Sequence, residues 1–121
     1  MERTVAAGGT PAIPFEINAL RIGDIAMVAV PCEPLVELGL AVKKASPFSR
    51  TLFLGYTNGC IGYLSPADAY PPEGWSPWET YAIPDMLFQS YQLPMALQPQ
   101  CGQMVVNQAS ELLRSLAVSD S

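Results

Sequence analysis

The stretch that most restricts the fold is residues 25–54, IAMVAVPCEPLVELGLAVKKASPFSRTLFL, where two short apolar runs flank one helical pattern. Ile25–Val30 is continuously apolar over the length of a strand, the pattern of a strand buried on both faces. Pro34 suits the first helical position, where its missing N–H costs nothing, and this makes Glu33 the N-cap. Leu35, Leu38 and Val42 then recur at helical spacing, and Lys43 and Lys44 fall in the last turn, where cations suit the helix dipole. Ser46-Pro47 stops the helix and Thr51–Leu54 resumes a strand. Two strands joined through a helix run parallel, with a right-handed crossover. Ligands of such units bind beyond the carboxyl ends of the strands. Cys32-Glu33 and Thr57-Asn58-Gly59-Cys60 stand there, on two loops expected side by side.

Upstream, residues 1–14 are rich in Gly, Ala and Pro and read as an unstructured lead-in. Phe15–Leu20 alternates apolar and polar residues, residues 21–24 supply a turn, and 15–30 becomes a β-hairpin. Downstream, Ile61–Leu64 reads as a third short strand. Ser65-Pro66-Ala67-Asp68 opens a helical turn with Ser65 as N-cap and Pro66 at N1. Residues 71–100 hold six of the twelve prolines and both tryptophans. Proline at that density prevents long regular elements. The plain reading is a long loop packed on the domain surface; the alternative is a segment that covers substrate or contacts a partner. Residues 102–117 form an amphipathic helix with Val105, Ala109, Leu112, Leu113 and Leu116 on one face. The expected fold class is α/β, with α+β as the alternative. It comprises a β-hairpin, a right-handed β-α-β unit, a Pro-rich loop and a C-terminal helix, all in one domain over residues 15–121.

Composition narrows the function classes. A chain of 121 residues with 50% apolar and 14% charged residues has room for one modest core and is not a disordered segment. Its net charge is −5 and its six basic residues are scattered, so no stripe exists to follow a phosphate backbone and nucleic acid is not an expected partner. Apolar stretches are broken by charge well before the length of a transmembrane helix, and residues 1–14 lack the apolar core of a signal peptide. The three cysteines, Cys32, Cys60 and Cys101, form no framework spacing. The absence of histidine excludes a Ser-His-Asp triad, a Cys-His dyad or a His-ligated metal site built from these residues alone. An enzyme here needs carboxylate, tyrosine or thiol chemistry, or a second polypeptide.

Glutamate is not a favoured N-cap, so Glu33 at a strand's carboxyl end is either a functional carboxylate or one enjoying the helix dipole, as Glu37 does a turn later. Asn58-Gly59 is a common turn signal. Cys60 is open to three readings: metal ligand, redox thiol or small hydrophobe. With Cys32 on the neighbouring loop, either a Cys/Glu/Cys metal site or a disulfide is compatible with the expected geometry. A parallel sheet with an unpaired edge also favours self-association, so a homo-oligomer is expected.

These same residues carry a resemblance. IGDIAMVAVPCEP and TLFLGYTNGCIGYLSPADAY resemble the C-terminal part of the catalytic domain of the neutral/alkaline ceramidase family over roughly residues 15–70. The family pattern is a strand ending in Pro-Gly-Glu, a helix, a strand, then Asn-x-Tyr-x-x-Tyr and an acidic-acidic-Tyr. Here it becomes Pro31-Cys32-Glu33, then Asn58 to Tyr63, then Asp68-Ala69-Tyr70. The resemblance implies a zinc-dependent amidase acting on an N-acyl lipid or related amide, with Glu33 as a metal ligand. The family's tyrosine ligand falls at Cys60, and thiolate is itself a good zinc donor. Tyr63 and Tyr70 match the later tyrosines that line the family's site, and Asn58 matches its substrate-binding position. The family's two histidine ligands and its serine region have no counterpart here, so the resemblance implies the C-terminal piece of such a domain: a truncated gene product, a partial sequence or one half of a split protein. Residues 71–100 depart from the family pattern. The runner-up reading is a non-catalytic α/β interaction module that has lost the metal site.

Overall fold

The computed structural model describes residues 13–69 and 99–118. Within them the chain builds mixed α/β architecture, with both helices on one face of a small sheet. Strands β1 (Asn18–Ile22) and β2 (Ile25–Ala29) form the expected hairpin, with Ile22 opposite Ile25. The turn is only Gly23-Asp24. Gly23 has φ +62°, as a primed two-residue hairpin turn requires, and this tight turn carries β1 two residues past the expected Leu20. The alternation read over 15–20 is real but begins before the ladder: Phe15, Ile17 and Ala19 all lean on the core.

Helix α1 (Val36–Ala45) connects β2 to β4 (Arg50–Leu54), and these two strands pair in parallel, so the sheet order is β1-β2-β4. Leu38 and Val42 are buried, and the helix ends at Ser46 as expected. Its start differs. Glu33 is not the N-cap and Pro34 is not at N1. Leu35 occupies the cap without a side-chain cap bond, and Glu33-Pro34 forms a two-residue strand, β3, parallel to β5 (Tyr63–Leu64). The physical reason lies in the backbone donors. Glu33 N–H donates to the Gly62 carbonyl at 2.8 Å and Leu35 N–H to the Leu64 carbonyl at 2.9 Å. Pro34, which has no N–H, sits between them without interrupting that pattern. The third strand is therefore shorter than residues 61–64 and belongs to a separate two-stranded pairing. The helical turn expected from Ser65 is a single 3₁₀ turn, Ala67–Ala69, closed by Ala69 N–H onto the Pro66 carbonyl at 3.1 Å.

Helix α2 (Cys101–Val118) runs one residue beyond the expected range at each end and buries Val105, Val106, Ala109 and Leu113. Ala26, Val28 and Val30 of the central strand meet Leu38 and Val42 from α1 and these α2 residues in one core. Because both helices take the same side, β2 is not buried on both faces: Ile25, Met27 and Ala29 on the other side are only half-buried. That is a correction to the reading of 25–30 as a doubly covered strand. Arg21 points to the helix side of the edge strand β1. Its Nε donates to the Gly23 carbonyl at 2.7 Å, one terminal nitrogen donates to the Leu116 carbonyl at 3.3 Å, and the guanidinium lies 4.9 Å from the Phe48 ring centre. A charge aimed inward from an edge strand discourages further strand addition there.

Candidate functional site

The site expected at the carboxyl ends of β2 and β4 is organised by one extended segment, residues 30–35. On one side Val30 N–H donates to the Leu54 carbonyl at 2.8 Å, and the Val30 and Cys32 carbonyls accept from Thr57 N–H and Tyr56 N–H at 3.1 and 2.9 Å. On the other side the Pro31 carbonyl accepts from Ile61 N–H at 2.9 Å, and Glu33 and Leu35 donate to residues 62 and 64. Residues 55–62 therefore arch across the end of β2, and the two loops lie side by side as expected. Below this point β1 flanks the central strand; above it, residues 61–64 do.

The arch demands unusual backbone. Tyr56 and Asn58 have φ +53° and +63°, and Gly59 and Gly62 have φ +133° and +127°. Asparagine tolerates this region, whereas a bulky tyrosine occupies it at a cost of about 1 kcal/mol. Gly55 is required for a different reason: a Cβ there would lie 2.8 Å from Pro34 Cδ and 3.0 Å from the Cys32 carbonyl oxygen. Where the lead-in of residues 14–16 and the 58–61 turn diverge around Pro31, they leave an open crevice of about 490 Å³. A crevice at such a change of strand partner is where α/β units bind ligands.

The structure distributes the expected site residues unequally. Asn58 and Cys60 line the crevice, and Cys60 is exposed. Glu33 is half-buried and stands beside Tyr63 in the β3–β5 register. Tyr70 lies outside the described residues, as does most of the 71–100 segment. Cys32 faces the core with no exposed surface, and burial, with a smaller contribution from Cys60, pushes its thiol up to about 12. Protonated at neutral pH and enclosed in the core, it packs as a small hydrophobe and is not an accessible nucleophile. All three cysteines are free thiols, and the Cys32–Cys60 disulfide is not formed. Among the described residues no three of the Cys, Asp and Glu side chains gather closely enough to hold a metal ion. Glu33 and Cys60 supply two donors at most, fewer than the three or four protein ligands of a zinc centre, so these residues do not make a zinc site by themselves.

Glu16 lines the crevice and accepts from Asn18 Nδ2 at 3.2 Å, a position the sequence reading passed over. The signal was present in the alternation of FEINAL, which sets Glu16 on the side opposite the core-facing Phe15 and Ile17. Tyr56 had no such signal, because a left-handed conformation is expected of Gly or Asn. Among the described residues no helix is long and apolar enough to cross a membrane. In comparisons with known proteins, no family model, no curated protein and no solved structure matches this chain.

Proposed function

We propose that this chain supplies the C-terminal share of an amide-hydrolysing α/β domain resembling that of the neutral ceramidases. In this reading Glu33 and Cys60 are donors to a zinc ion whose remaining ligands come from a histidine-bearing polypeptide. Asn58 meets the acyl amide of an N-acyl lipid or related substrate, and Tyr63 and Tyr70 line the site. The observation that supports it is the meeting of separated motif pieces. Glu33 and Tyr63 are partners in register, and the Asn58–Cys60 turn is tied alongside Pro31 at the carboxyl ends of the parallel strands. The assignment to a ceramidase-like site rests on those motif residues alone.

Two donors bind zinc weakly, so the isolated chain should take up zinc substoichiometrically and lose it in both Glu33→Ala and Cys60→Ser. Metal analysis after equilibration with zinc checks this, and uptake indifferent to both substitutions refutes it. The isolated chain should not turn over a fluorogenic N-acyl amide; turnover abolished by Glu33→Ala would mean the site is complete without a second polypeptide. The second reading, a non-catalytic interaction module, is favoured by cysteine at position 60 and by the exposed apolar side of the sheet. Absence of zinc binding at any concentration selects it.

A further inference from the structure

We propose that the open face of the three-stranded sheet is the surface through which two copies of this chain pair. This does not depend on the amide-hydrolase reading. The strand register arranges that face in rungs. Leu20, Met27 and Leu52 lie across one rung, with Ile22 and Ile25 on the next and Ala29 and Leu54 on the one beyond. In the single chain Leu20 is 55% exposed, Ile22 61%, Leu52 47% and Leu54 39%. Parallel strands joined through helices are ordinarily covered on both faces, and among the described residues helices cover only one.

Three observations favour a second copy as the occupant. The first is area. Four aliphatic side chains at about half exposure, with three half-buried neighbours, leave on the order of 500 Å² of contiguous apolar surface, the upper end of what a monomer carries. Two such faces and their polar rims together remove about 1,200 Å², where specific interfaces begin. The second is self-complementarity. A twofold axis along β2 lays β1 of each copy over β4 of the other, so Leu20 meets Leu52 and the Met27 side chains meet at the axis. Two sheets so packed lie ~10 Å apart, with the helices outside. The third is charge. The centre of the face carries none. Its rim at one end carries Asp24 and Arg50, paired at 3.4 Å and both more than two-thirds exposed, and the same axis brings opposite signs together between copies.

Sedimentation velocity of the full chain over roughly 10–200 µM tests this. The expected result is a monomer–dimer equilibrium that strengthens with added salt, because each copy carries a net charge of −5 and salt screens their mutual repulsion. Leu20→Lys and Leu52→Glu, both at exposed positions and checked for fold by circular dichroism, should each weaken pairing at least about tenfold. Mixing the two variant chains should restore a heterodimer, because the twofold sets the substituted positions against each other. Met104→Glu, at an exposed apolar residue of α2, should change nothing. A monomer throughout the range overturns the proposal, whether this chain or another polypeptide covers the face. A dimer indifferent to both sheet substitutions also overturns it.

Discussion

Two of the described glycines lie inside helices, and the structure assigns opposite signs to the same substitution at each. At Gly102, in the first turn of α2, a Cβ would sit 2.5 Å from the buried Ser65 carbonyl oxygen and 3.1 Å from Leu38 Cδ2. Backbone cannot rotate aside as a side-chain tip can, so the helix start or the 64–66 segment must move by about 0.9 Å to reach ordinary contact. Overpacking of that kind costs about 1–3 kcal/mol. Helix propensity returns at most about 1 kcal/mol, and less in a first turn. Gly102→Ala is therefore expected to destabilise by about 1–2 kcal/mol. At Gly39, in α1, the nearest atom is Phe53 Cδ1 at 3.3 Å, the edge of a half-buried ring that can turn. There the propensity term dominates, and Gly39→Ala should be neutral or stabilising by up to about 1 kcal/mol. Urea unfolding of both variants beside wild type measures the difference from shifts in midpoint at unchanged slope. Equal effects, or a stabilised Gly102→Ala, would mean that α2 does not dock on Ser65 as described.

Two further outcomes follow from buried and inward-facing groups. The Cys32 thiol, raised from 9.0 to about 12 chiefly by burial, keeps its proton in the folded chain while the unfolded chain loses it. The unfolded state then binds fewer protons, so stability should fall by up to about 1.4 kcal/mol per pH unit as pH rises through that window. Cys32→Ala should remove this slope, measured as the difference between the two pH profiles; identical profiles would contradict the burial. Arg21→Met removes the contacts to the Leu116 carbonyl and the Phe48 ring and should cost about 1 kcal/mol in a denaturant melt, while freeing the β1 edge to aggregate.

Local periodicity sufficed for the hairpin, the parallel β2–β4 pair and both helices, because each rests on neighbours in sequence. Leu38 and Val42 were found by spacing alone, as was the inward face of α2. What periodicity missed depends on distant partners. Ile25, Met27 and Ala29 are as apolar as Ala26 and Val28, and nothing local says that both helices take the same side. Pro34 carries a helix-start signal, overridden because its neighbours Glu33 and Leu35 bond to carbonyls some thirty residues later at Gly62 and Leu64. At the candidate site, the adjacency of the two loops was legible from topology. The burial of Cys32 and the conformation of Tyr56 were not, since both arise from how the 55–62 arch seats on the central strand.

The pairing of Arg21 with the Leu116 carbonyl spans 95 residues, so on the ribosome it closes only after α2 has been made. The sheet and α1 are complete once Leu54 is available, but α2 does not begin until Cys101. At ordinary synthesis rates that separation lasts roughly 2–9 s. During it, Ala26, Val28 and Val30 are packed by Leu38 and Val42 but lack Val105, Val106, Ala109 and Leu113. A nascent chain paused in that interval presents two apolar surfaces, the one awaiting α2 and the open sheet face that carries Leu20 and Leu52. Holdase chaperones should bind this intermediate and release it when the last eighteen helical residues dock.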